Sequence, residues 1–164
     1  MRRIATALLA GLALGTAAVA QTPGKWTEEF TRRPLDWGGD IRYLKLEMPG
    51  GQILRLGCTA NRIERILVVF ARDGNNPAPI DPIPIVRYAI DEEPLQNADW
   101  PLFESGSIEV PRGTESTEMT LLLTTARRFR VEATRVDGRW EAAEFDLIGI
   151  EWMMRPMLEA CGIE

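Results

Sequence analysis

The acidic run Asp91-Glu92-Glu93 is where the chemistry of this sequence would have to start. Neighbouring carboxylates can divide acid and base duties across a glycosidic bond, or hold a cation, with Asp81 and Asp99 as further candidates nearby. The competing expectation is a solvated turn before Pro94. The run lacks the alternating ligands and sharp glycine turn of a calcium loop. The chain has no histidine. That removes Ser-His-Asp and Cys-His catalysis, histidine-ligated zinc and an imidazole switch. Two distant cysteines do not make a thioredoxin-type redox pair, and no glycine-rich loop is present to cradle phosphate. The residues therefore predict no cofactor, no metal site and no catalytic residue. A carboxylate hydrolase is the least supported reading.

Residues that could meet a partner are Trp100, Trp140, Asp91 and Glu92. Aromatic side chains often anchor interfaces. For each tryptophan the alternative is packing against its own domain, Trp140 by covering a sheet or by stacking on Arg135.

The elements that position these residues begin with a leader. Arg2 and Arg3 precede an apolar Ala/Leu/Gly run, and Ala18-Val19-Ala20 fits a small-x-small cleavage site. Residues 1–20 thus read as a signal peptide cleaved after Ala20, which places the protein in the periplasm or outside the cell. Removing two arginines makes a formal charge of −5 two units more negative. An acidic chain with Lys25 and Lys45 as its only lysines is a poor ligand for nucleic acid or anionic lipid. No later segment has the length and apolarity to insert in a membrane. Nothing in the residues sets an oligomeric state.

An even cysteine count in an exported chain predicts a disulfide. Cys58 and Cys161 allow one intramolecular pairing, with free thiols or an intermolecular bridge as alternatives. Closing a loop of about 100 residues contributes roughly 4–5 kcal/mol in the chain-entropy account.

Residues 21–40 read as an irregular lead-in whose Trp26, Phe30 and Trp37 pack on a single β-rich domain, 41–164. Alternation over 41–48 and 52–59, around Pro49-Gly50-Gly51, predicts a hairpin with Leu44, Leu46, Leu54, Leu56 and Cys58 inward. Residues 62–71 suit a central strand buried on both faces. Residues 72–84, with four prolines, read as a stiff surface loop. Further strands are expected at 85–90, 100–103 and 107–110. Residues 115–127 suggest a helix capped by Thr114 or Ser116. Residues 128–147 form a second hairpin. Its face parity predicts a three-residue loop, Asp137-Gly138-Arg139, setting Val131 against Phe145. The last segment predicts a helix with Ile150, Met153, Met154, Met157 and Leu158 on its apolar side, broken and restarted at Pro156. The fold class is mostly β (α+β): an antiparallel sandwich or barrel-like sheet with one or two short helices packed on it.

Four pieces in order resemble a known family: residues 51–58 (GQILRLGC), residues 86–91 (VRYAID) with Trp100 after them, and residues 145–149 (FDLIG) running on to Pro156 and Ala160-Cys161-Gly162. The chain is similar to small exported proteins of the VasI/TagO type, which are associated with type VI secretion in Gram-negative bacteria, and to related uncharacterised exported proteins with the same two-cysteine frame. The likeness covers roughly residues 50–162. It implies a periplasmic accessory role without catalytic residues, Cys58–Cys161 as the matching pair, and a helix between Trp100 and the last hairpin. Family members often have glycine soon after the Tyr-x-Ile-Asp strand, where this chain has Glu92 and Glu93. The expected function is a non-enzymatic accessory or binding protein whose partner is another envelope protein or peptidoglycan. An acidic inhibitor of a lysozyme-like hydrolase is the alternative.

Overall fold

A computed structural model describes residues 24–32, 40–60, 62–70, 72–73, 76–77, 79–103 and 106–163. The expected signal peptide and Trp37 lie outside the described residues. In chain order the elements are β1 (Lys25–Thr31), β2 (Ile41–Glu47), β3 (Ile53–Thr59), β4 (Arg62–Val69), β5 (Arg72–Asp73), β6 (Asn76–Pro77), β7 (Val86–Ile90), β8 (Gln96–Ala98), β9 (Leu102–Phe103), β10 (Ser107–Val110), α1 (Thr114–Thr125), β11 (Arg128–Thr134), β12 (Trp140–Asp146) and α2 (Ile150–Ala160). Six strands form one antiparallel sheet in the order β1-β2-β3-β4-β10-β9, and four form a second in the order β12-β11-β7-β8. A small β5–β6 ribbon interrupts the proline loop.

Alternation explains the first sheet. Leu44 pairs with Leu56 and Leu46 with Leu54, so these four side chains make a buried apolar patch on one face of the β2–β3 hairpin. Gly51, at φ +84, closes its turn by donating to the Met48 carbonyl at 2.9 Å. Tyr43 lies across Gly57, where a Cβ would meet its ring at 2.6 Å. The irregular lead-in needs correction, because Lys25–Thr31 is a strand paired with β2 along its whole length. Charges on both its faces hid the alternation.

The β11–β12 hairpin keeps the expected parity and loop length but shifts the register. Its loop is Val136-Asp137-Gly138 rather than 137–139. The Gly138 N–H donates to the Arg135 carbonyl at 2.9 Å, and Arg135 N–H to the Arg139 carbonyl at 2.8 Å. Gly138 takes φ +77, the left-handed residue that follows the turn in a three-residue hairpin loop. Val131 consequently pairs with Ala143, and Phe129 with Phe145.

Both helices differ from expectation at their punctuation. Helix α1 starts after Gly113 without a side-chain cap. The Ser116 and Thr117 hydroxyls bond the Gly113 carbonyl instead, and Thr120 and Thr124 bond back one turn. Helix α2 runs unbroken through Pro156. Trp152, whose carbonyl loses its N–H partner there, is on the solvent side, as is Pro156, so water can replace the missing bond. Ile150, Met154 and Met157 are buried as expected.

One apolar cluster takes in side chains from both sheets and both helices. Cys58 on β3 bonds Cys161, just past α2, with a Cα–Cα separation of 6.2 Å. No described helix is long and apolar enough to cross a membrane.

Candidate functional site

Strands β7, β11 and β12 build a solvent-facing surface whose side chains fall into rows. Inner positions Val86, Phe129, Val131, Ala133, Ala143 and Phe145 are fully buried, so the residues between them point outward. The register places Arg87, Glu132 and Ala142 in one row, and Ala89, Arg130 and Glu144 in the next. Trp140 pairs with Thr134, which also binds Ile85 through its backbone N–H and its hydroxyl. Trp140, Ile85 and Val136 are exposed, giving this end of the face an apolar edge.

Trp140 therefore sits where a partner could reach it. The Arg87 guanidinium covers one side of its ring at 3.9 Å, in place of the expected Arg135. Arg135 instead pairs with Glu141 at 2.9 Å. Arg87 and Arg130 both donate to Glu132, whose side chain is 5 % exposed. Burial pushes the Glu132 carboxyl up. Hydrogen bonds from Arg87 and Arg130, with their charges, outweigh that and hold it below the usual carboxylate range.

Trp100 is corrected outright as a surface candidate. It is 1 % exposed, stacked on Tyr88 at 4.9 Å between centroids, and its indole N–H donates to Glu115 at 2.6 Å. Nor does it open a strand: the extended segments there are β8 and β9, on either side of it.

At the other end of the face lies a cleft of about 510 Å³, lined by Asp91, Glu92, Arg127, Arg128, Glu144 and Asp146, with Ile148 at its rim. Asp91 is held tightly. At φ +53 it reverses the chain after β7, its N–H donates to the Arg128 carbonyl at 2.9 Å, and its Oδ1 accepts the N–H groups of Arg127 and Arg128 at 2.8 and 2.9 Å. Its carboxylate is a clip between two chain segments. Glu92 is 93 % exposed and 3.7 Å from Arg128. Asp81 bonds the backbone at the opposite end of β11, through Thr134, and neither it nor Asp99 lines the cleft. Among the described residues no group of three Cys, Asp or Glu side chains is arranged to hold a metal.

The structure thus brings Asp91, Glu92 and Trp140 to one face, at opposite ends, and removes Trp100 from it. Sequence reasoning missed Arg87 and Glu132. Their signal was present, as outward-parity charges on two strands that pair. Cys58 and Cys161 form the disulfide away from this face. No protein-family model, curated protein or solved structure matches the chain.

Proposed function

We propose that this chain is a non-enzymatic binding protein of the periplasm, exported by a leader ending at Ala20, and that it serves a type VI secretion apparatus by engaging another envelope protein or peptidoglycan. The observation that supports this reading is the outer face of the second sheet. It offers an exposed tryptophan steadied by an arginine, a pattern suited to recognition. Asp91, which opens the acidic run, has its Oδ1 committed to two backbone N–H groups. The system assignment rests on the family resemblance, and the compartment on the leader and the disulfide.

The test is photo-crosslinking in living cells, with the reactive residue at position 140 and, as a control, at Glu118 on α1. The expected result is one recurrent envelope partner from position 140 alone. Equal products from both positions would reject the face as the binding surface. A hydrolytic activity lost in Asp91→Asn or Glu92→Gln would replace this reading with an enzymatic one. Salt-sensitive inhibition of lysozyme would redirect it to a hydrolase inhibitor.

A further inference from the structure

We infer that the free edge of β12 binds an extended peptide segment of the partner, which adds as a fifth strand and carries an apolar residue beside Trp140 and a basic residue at the Asp146 cleft. This rests on the reading of the chain as a binding protein.

The edge follows from the hydrogen-bond phase. Strand β12 ends its sheet, with β11 on one side only. Leu147 N–H donates to Arg127 and Arg135 N–H to Arg139, at the two ends of this hairpin. In an antiparallel ladder bonded pairs recur every second residue. Residues 141, 143 and 145 therefore bond β11, and the backbone groups of Trp140, Ala142, Glu144 and Asp146 point away from it. That is a row of donors and acceptors of the kind an added strand satisfies. An open groove of about 430 Å³ runs beside it, with Ala142 and Glu144 on one wall and Pro49, Gly50 and Gln52 of the β2–β3 turn on the other. The other edges suit this less. Strands β8 and β9 are three and two residues long. On β1 the tryptophan, Trp26, is half-buried and bonded to the Ile148 carbonyl.

Side chains at the two ends choose the occupant. Exposed Trp140 offers apolar area at one end. Six residues on, about 20 Å along the strand, the cleft sets Asp91, Glu92, Glu144 and Asp146 against Arg127 and Arg128. Asp146 has no cation partner among the described residues; its Oδ1 accepts only the Ile148 N–H at 3.1 Å. A second copy is a poor occupant. Strand β12 carries Glu141, Glu144 and Asp146 and no basic residue, so self-pairing would gather like charges across two strands.

The probe is a synthetic ten-residue peptide of alternating Thr and Val, with Leu and Arg six positions apart. Its binding to the full chain is read by fluorescence titration and by amide hydrogen exchange. Slowed exchange is expected at the amides of Ala142, Glu144 and Asp146. Ala142→Pro removes one outward N–H and spares the bonds to β11, because an edge strand accepts proline where its N–H faces solvent. It should weaken binding by about tenfold, as should replacing the peptide's Arg by Glu. Should Ala142→Pro fail to fold, a peptide N-methylated at alternate residues tests the same ladder on the wild-type chain. Undiminished binding in these variants, or protection on β1 instead, overturns the inference. A concentration-dependent dimer protecting the same amides without peptide also overturns it, assigning the edge to a second copy. A partner crosslinked through position 140, with no protection on β12, rejects the added strand and leaves the binding reading intact. Absence of both rejects the two together.

Discussion

Arg87 and Tyr88 are consecutive residues of β7, and each lies against a tryptophan on an opposite side of the same sheet. Tyr88 stacks on Trp100 in the interior, and Arg87 covers Trp140 in solvent. Inside, the indole is sealed at 1 % exposure and its N–H is committed to Glu115. Outside, the ring is 41 % exposed and its company is charged. The difference shows that a tryptophan's role here is set by the strand parity of its neighbour. The inner side of the sheet seals its indole in the core, and the outer side leaves an indole face in contact with solvent.

The largest break in that contrast is Trp100→Ala. It should cost about 3–5 kcal/mol in urea denaturation; a loss no greater than that of Trp140→Ala would abolish the distinction. Glu132→Gln comes next, at about 1–3 kcal/mol, toward the lower end because Arg87 and Arg130 are partly exposed and solvent screens them. The sign with pH is fixed. A carboxyl depressed in the folded state adds stability above its unfolded value of about 4.3 and loses it as pH falls through the lower folded value. Glu132→Gln should therefore flatten the acid limb of the stability curve, and an unchanged acid limb would count against the role given to Arg87 and Arg130. Asp91→Ala removes the acceptor of two N–H groups and leaves alanine at positive φ, for about 1–2 kcal/mol. Asp91→Asn keeps an acceptor and tolerates that backbone, so thermal melts should rank it nearer wild type. The smallest effect is Trp140→Ala, below about 1 kcal/mol, with its loss appearing in partner capture instead.

Much of the fold could be read where alternation was clean. Leu44, Leu46, Leu54 and Leu56 face inward as their spacing requires, and Ile150, Met154 and Met157 define the buried side of α2. The rest turned on energies too small or too remote for a pattern to register. Two placements of the β11–β12 loop share one parity, and the turn bond from Gly138 to Arg135 selects between them. Strand β1 hides behind Glu28 and Glu29, one on each face; Glu29 reaches Lys45 on β2 and Arg55 on β3. The burial of Trp100 depends on Tyr88 and Glu115, which no local spacing links to it. At the site, Trp140 was legible as a residue that could meet a partner. The duty of Asp91 was not, because it depends on backbone groups 36 and 37 residues away.

The Cys58–Cys161 bond spans 103 positions of chain and gives the molecule two different folding problems. On first folding, with both thiols reduced, the ends of that loop meet by diffusion at full entropic cost. Once oxidised, every later refolding begins with those ends already joined, from a more compact unfolded ensemble and with fewer distant contacts left to find. The chain thus keeps a covalent memory of having folded once. Refolding the oxidised protein should accordingly run faster than folding from the reduced state, a difference set by the history of the chain.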